Sequence, residues 1–159
     1  MNMKLFAMVS VLLLGAACAR KSEMTGPQGE KIKFDKDGKN VTVTTKDGAV
    51  YSGGENARIP DNFPKDIPPY PGAKVSSAVS AGQQAASGYM LTLETNDSPE
   101  KVTDFYKSKM SGWINKMEMA SGGGKVLLLE SPDGKRQLSS VSNVSNGRTT
   151  LTLTVTEKP

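Results

Sequence analysis

Residues 136–156, RQLSSVSNVSNGRTTLTLTVT, decide the fold of this chain. Two strand-like stretches, Arg136 to Asn143 and Arg148 to Thr156, flank Asn146-Gly147. An Asn-Gly pair between such stretches signals a tight hairpin, because both central positions of the favoured turn need positive φ and these two residue types tolerate it. Working backward, Pro132-Asp133-Gly134 marks a second hairpin after Lys125 to Glu130. Gly122-Gly123-Gly124 marks a third turn after Trp113 to Met119. Four consecutive strands joined by short turns predict an antiparallel meander.

Upstream of these strands, Asn96-Asp97-Ser98-Pro99-Glu100 supplies a helix N-cap followed by proline at the first helical position. Val102, Phe105, Tyr106 and Met110 then recur at helical spacing, predicting a helix over about 99–111. Gly112 is placed to end it in a left-handed conformation, and Phe105 and Trp113 are expected as core anchors. Lys74 to Ser80 and Ser87 to Thr95 carry strand period, with Tyr89, Leu91 and Leu93 alternating against Met90, Thr92 and Glu94. Residues 73–159 therefore read as an α+β domain, a mostly antiparallel sheet packed by one helix.

The preceding stretch 59–72, IPDNFPKDIPPYPG, holds five prolines and cannot be a regular helix or a central strand. It reads as a stiff connector whose Ile59, Phe63, Ile67 and Tyr70 lie against the domain. In residues 31–58, Ile32 and Phe34 share a strand face with Val41 and Val43 after the turn Asp35-Lys36-Asp37-Gly38, and Lys46-Asp47-Gly48 leads into Ala49-Val50-Tyr51. A three-strand β-meander this small is marginal alone and is expected to lean on the main domain or stay partly mobile.

The first 17 residues have a signal-peptide layout: a positive start at Lys4, an apolar run from Leu5 to Ala17, and small residues up to Cys18. Thirteen helical residues rise only about 20 Å, short of the roughly 30 Å hydrocarbon core, so cleavage is expected rather than a permanent span. Gly15-Ala16-Ala17-Cys18 resembles a bacterial lipobox, which implies that Cys18 takes a lipid and becomes the first residue of the mature chain. Gly15 stands where that motif usually has Leu. Ordinary secretion is the alternative, since Ala17-Cys18-Ala19 also satisfies the small-x-small cleavage rule. By the same resemblance Ala19, in place of an Asp that retains such proteins at the inner membrane, favours the outer membrane in a Gram-negative cell. Residues 18–30 are expected as the lipidated cysteine and a flexible polar tether.

Composition excludes much chemistry. The chain has one cysteine and no histidine, which removes disulfide frameworks, zinc sites, Cys-His nucleophiles and histidine general bases. Loss of the leader takes away Lys4 and no acid, so the net charge of +4 becomes only slightly smaller. That basicity is too mild for a nucleic-acid partner, which would call for a concentrated positive face.

The spaced elements Pro68-Pro69-Tyr70-Pro71-Gly72-Ala73, Thr95 to Glu100, Phe105-Tyr106 and Gly112-Trp113 resemble a domain of small bacterial envelope lipoproteins of unassigned function. The resemblance runs from about Ile59 to Thr156. It implies architecture and address, and brings no catalytic residue.

Other motifs dissolve on inspection. Ser98-Pro99-Glu100-Lys101 matches the S-x-x-K nucleophile motif, but the partner elements S-D-N and K-T-G are missing and Ser98 is explained as a cap. With Asp37-Gly38 at positions five and six of a calcium loop, Lys33 and Thr44 fall where oxygen ligands are required at its ends, so a turn is expected. Gly122-Gly123-Gly124-Lys125 lacks the Ser or Thr of a phosphate loop, having Val126. Met117 and Met119 share a strand face that could interest Cu(I), but methionines more often fill irregular cores.

The expectation is a non-enzymatic binding or assembly module of the bacterial envelope, held on a membrane through Cys18 and meeting an envelope protein or glycan. No cofactor, metal or catalytic residue is expected. The alternative is a small envelope hydrolase using carboxylate or Ser/Lys chemistry, which needs two carboxyl groups about 5 to 9.5 Å apart across a cleft.

Overall fold

The computed structural model describes residues 23–81 and 88–158. The strands are β1 (Glu23–Thr25), β2 (Lys31–Phe34), β3 (Asn40–Thr44), β4 (Val50–Gly54), β5 (Lys74–Ser80), β6 (Gly88–Thr95), β7 (Ile114–Ser121), β8 (Gly124–Glu130), β9 (Arg136–Ser145) and β10 (Arg148–Glu157). One helix, α1 (Pro99–Lys109), lies between β6 and β7. The strands form a single antiparallel sheet in the order β1-β2-β3-β4-β5-β6-β10-β9-β8-β7. The chain thus climbs strand by strand to β6, crosses on α1 to the far edge, and returns through β7, β8, β9 and β10.

Local chemistry accounts for the turns. Asn146 and Gly147 both have positive φ, 51° and 73°, as the hairpin between β9 and β10 demands. In the connector, Ala73 N–H donates to Tyr70 O across Pro71-Gly72. Proline presets φ at the second position, and Gly72 at φ 72° takes the third, where a side chain would be strained, so YPGA is a tight turn. Phe63 N–H to Pro60 O and Ile67 N–H to Pro64 O make two similar turns. The connector is therefore a series of short kinks, each placing one large apolar residue inward.

Its residues Phe63, Ile67 and Tyr70 join Val102, Tyr106 and Met110 of α1 over one face of the sheet. That face contributes Ala78, Leu91, Leu93, Leu127, Leu129, Leu138, Leu151, Leu153 and Val155. Alternation sends every second residue of β6, β8, β9 and β10 to this side, so the cross-strand rows Leu91–Leu153 and Leu93–Leu151 stack under the cover. Burying a leucine fully contributes about 2 kcal/mol, which makes this the stable heart of the molecule.

The coarse α+β reading holds, with the sheet dominating its single helix. Four particulars differ. The expected meander of residues 31–58 is present as β2 to β4, but it joins the domain by strand pairing: β4 pairs with β5 from Val50↔Ser80 to Gly53↔Ser77, so it extends the same sheet. An additional strand, β1, lies within the stretch read as tether and pairs with β2 through Met24↔Ile32. The helix ends at Lys109 with Met110 as cap, and Gly112 does not take positive φ; Trp113 N–H instead turns back onto Met110 O at 2.8 Å. The end therefore falls two residues short of the expected one, with the Met110 side chain still in the core.

The anchors also differ. Phe105 and Trp113 are only half-buried, while Val102 and Tyr106 are fully buried. Val102, Tyr106 and Met110 are spaced four apart and form the centre of the apolar stripe, leaving Phe105 on its flank. There its ring meets Tyr70 and Tyr106 edge-on, both at 5.1 Å between centroids.

Candidate functional site: a groove beside the connector

The cover over the sheet is uneven. Over β5 to β10 it consists of α1 and residues 63–70, closely packed. Over β2 to β4 only the start of the connector is present, and beneath it opens a groove of about 440 Å³ lined by Lys33, Thr42, Val50, Ser52, Arg58 and Ile59, among others.

Its floor is made by sheet register. Lys33, Thr42 and Ser52 are successive cross-strand partners, so they share one face, and Ala78 and Leu91 continue that row into the core. Polar and short side chains replace leucines as the row leaves the core, and the volume they do not fill is the groove. The wall is Arg58 to Asn62, fixed at its base by hydrogen bonds: Arg58 N–H donates to Ser52 Oγ at 2.8 Å, and Ala57 N–H to Val75 O at 3.1 Å. Asn56 N–H donates to Asn40 Oδ1 at 2.8 Å, and Lys39 pairs with Glu55 at 3.0 Å. The mouth thus combines apolar surface from Val50, Ile59 and Pro60 with two cations, Lys33 and Arg58.

Asp35 at the rim belongs to the β2–β3 turn. Asn40 Nδ2 donates to its carboxylate, as do the Lys39 and Asn40 N–H groups. These bonds, with that from the Asn40 side chain first, hold its pKa below the usual carboxylate value. Among the described residues every carboxylate with a displaced pKa is displaced downward. Raising one would need burial without compensating donors, and each of these has donors.

The residues singled out in the sequence fall elsewhere. Cys18 lies outside the described residues. Ser98 caps α1, its Oγ accepting from Lys101 N–H, while the Lys101 ammonium pairs with Asp97 at 3.1 Å. Among the described residues no three Cys, His, Asp or Glu side chains gather as a metal site, and no helix is long and apolar enough to cross a membrane. Met117 and Met119 lie exposed on the edge strand β7 rather than filling a core.

The spaced elements YPGA, Asn96 to Glu100 and FY meet in one place. The Tyr70 hydroxyl donates to Asp97 at 2.8 Å, and the Tyr106 hydroxyl to Pro68 O at 3.3 Å. Burial, then the Asp97 carboxylate, pushes the Tyr70 pKa up to about 12. Arg136 does the same work further along, bonding Asp66 through two nitrogens, at 2.9 and 2.8 Å, with its guanidinium 5.3 Å from the centre of the Trp113 ring. These contacts clamp connector to helix and sheet; they are structural.

The START domain-like family model matches residues 74–159, more than half of the chain. The chain belongs to the START domain-like family. Its START-like half comprises β5, β6, α1 and β7 to β10, whereas β1 to β4, the connector and most of the groove lie before the matched segment. No curated protein and no solved structure matches the chain. In the START-like half the space between α1 and the sheet is filled by Tyr106, Val102 and the leucine rows. The groove was missed in the sequence because its lining comes from three strands and a loop far apart in the chain; only Ile59 gave a signal, as an apolar residue in a polar, proline-rich stretch.

Proposed function

We propose that this chain is a non-enzymatic ligand-binding module of the bacterial envelope, carried on a membrane by lipid on Cys18, and that its ligand occupies the groove between β2–β4 and the connector. The groove carries this reading. Its volume falls within the range of small-molecule sites, roughly 300 to 1,000 Å³, and it offers the mixture such sites have, apolar walls with a few polar groups and charges. Membership of a family of binding domains supports the class of function.

The downward carboxylate shifts argue against the hydrolase alternative, because a glycosidase-type pair needs one carboxyl held protonated. Ser98 and Lys101 are occupied by capping and by Asp97, which leaves the Ser/Lys route without a base. The envelope address rests on the leader and on Cys18.

The test is a ligand screen by thermal unfolding, with envelope glycan fragments and small amphipathic molecules. A ligand at a hundred times its Kd stabilises by about 2.7 kcal/mol. We expect at least one compound to raise the unfolding temperature of the wild type, with the effect lost in Thr42→Trp, which fills the groove, and kept in Thr152→Trp on the opposite face. Stabilisation that survives Thr42→Trp and Arg58→Ala alike would remove the groove from consideration.

A further inference from the structure

The face of the sheet away from α1 carries a pattern that the groove does not use. Register places Met24, Ile32, Val43, Tyr51, Val79 and Met90 in one cross-strand row, running without a break over β1 to β6. All six are apolar or aromatic, and Met24, Tyr51 and Met90 are 57%, 44% and 40% exposed. The next row on the same face, Phe34, Val41, Gly53, Ser77 and Thr92, contains no charge either. An exposed sheet face ordinarily alternates polar residues outward, and a contiguous apolar surface of this extent marks a contact site. Beyond β6 the first row passes to Thr154 and Ser139 and turns apolar again only at Leu128 and Met117 on β8 and β7, so its unbroken apolar run belongs to the half of the sheet nearest the N-terminus.

Chain length says what lies against it. From Cys18 to Glu23, where β1 begins, there are five peptide steps, which reach at most about 18 Å when fully extended. A lipid on Cys18 would hold β1 within that distance of the bilayer surface, and Met24 is the first member of the row. We propose that the anchor end of the apolar row, on β1 to β4, rests on the lipid surface, so that the anchor and this face together fix the orientation of the domain. This rests on the reading of Cys18 as the membrane anchor.

Geometry limits and supports the contact. Adjacent strands rotate by roughly 20 to 25°, so the face turns through about 60 to 75° from β1 to β4 and on the order of 100 to 125° by β6, and a plane meets only the strands near the anchor. The apolar row occupies those strands. Methionines and a tyrosine suit the boundary between headgroups and acyl chains, where an apolar body is buried and a hydroxyl stays wet. Because Lys33, Thr42 and Ser52 point from the opposite face of β2 to β4, the docked orientation turns the groove away from the membrane, open to the envelope space.

The experiment uses the full chain expressed in a bacterial envelope, purified and reconstituted into vesicles of phosphatidylcholine brominated on its acyl chains. Trp113, the single tryptophan, lies on the helix side under Arg136 and serves as an internal control. Tyr51→Trp and, separately, Met24→Trp place an indole on the proposed contact face. We expect Trp113 emission to be unaffected by bromine, and the added indole to shift to the blue and lose about half its emission, as for a side chain at the acyl boundary. Adding Val43→Asp should reverse that quenching. No quenching at either position, or equal quenching of Trp113, overturns the docking. The mass of the N-terminal peptide reports the lipid on Cys18 separately: lipid present without quenching sinks the docking alone, and lipid and quenching both absent sink it with the anchor. If quenching is absent and the chain sediments as a dimer, the row is a contact between two copies instead.

Discussion

The two halves of this sheet are built from the same pairing and differ in what covers them. In the START-like half, leucines from β6, β8, β9 and β10 lie under α1 and the connector, with Val102, Tyr106 and Met110 packed between the layers. In the N-terminal half, β1 is wholly exposed, β3 is half-buried throughout, and the buried positions of β4 are Ser52 and Gly53. The lesson is that a sheet acquires a core only where a second layer arrives. Where the layer thins to a single strand of connector the row of leucines gives way to Lys33, Thr42 and Ser52, and a groove takes the place of a core.

The largest expected effect tests the dense half. Tyr106→Ala, at the centre of the helix stripe, should cost about 3 to 5 kcal/mol in urea unfolding, whereas Phe105→Ala on the flank should cost about 1 to 2. Equal losses would mean that the stripe is centred elsewhere.

The clamp between connector and helix provides the second test, through pH. Tyr70 has a raised pKa in the folded state, so its proton is held more tightly there than in the unfolded chain. Its contribution is complete below pH 10, is lost as pH rises toward about 12, and amounts to 2 to 3 kcal/mol in order of magnitude. Stability measured from pH 9 to 12 should fall, and Tyr70→Phe should flatten the fall while lowering stability near neutrality by about 1 kcal/mol. An unchanged profile in that variant would assign the alkaline loss to other groups.

The smallest effect sharpens the comparison itself. Amide exchange in β2 and β3 should proceed through openings at least about 1 kcal/mol easier than those of β6 and β10, because few buried apolar contacts resist them. Uniform protection over all ten strands would show the N-terminal half to be as cooperative as the rest.

Much of this was legible in the residues. Asn146-Gly147, the Ser98-Pro99 cap and the alternation of Tyr89, Leu91 and Leu93 each act over a few positions, so hairpin, helix start and strand can be read locally. The proline spacing located the connector, and the inward side chains Phe63, Ile67 and Tyr70 were recognisable in it. The end of α1 was not, since a helix can stop one or two residues short of the glycine placed to end it. Nor was the weight of Phe105 against Tyr106, because two adjacent aromatics on a helix differ only in which side the sheet lies.

The sequence by itself determined most of the elements, their antiparallel pairing within hairpins, and the absence of histidine and disulfide chemistry. Tertiary structure alone decided that β4 joins β5 into one ten-stranded sheet, that Arg58 and Ile59 stand over Thr42 and Val50 to form a groove, and that six apolar side chains from six strands share an open face. The physical reason is range. Turn, cap and strand preferences are settled among residues a few positions apart, while cavities and faces are made by register between segments whose separation in the chain no local pattern records.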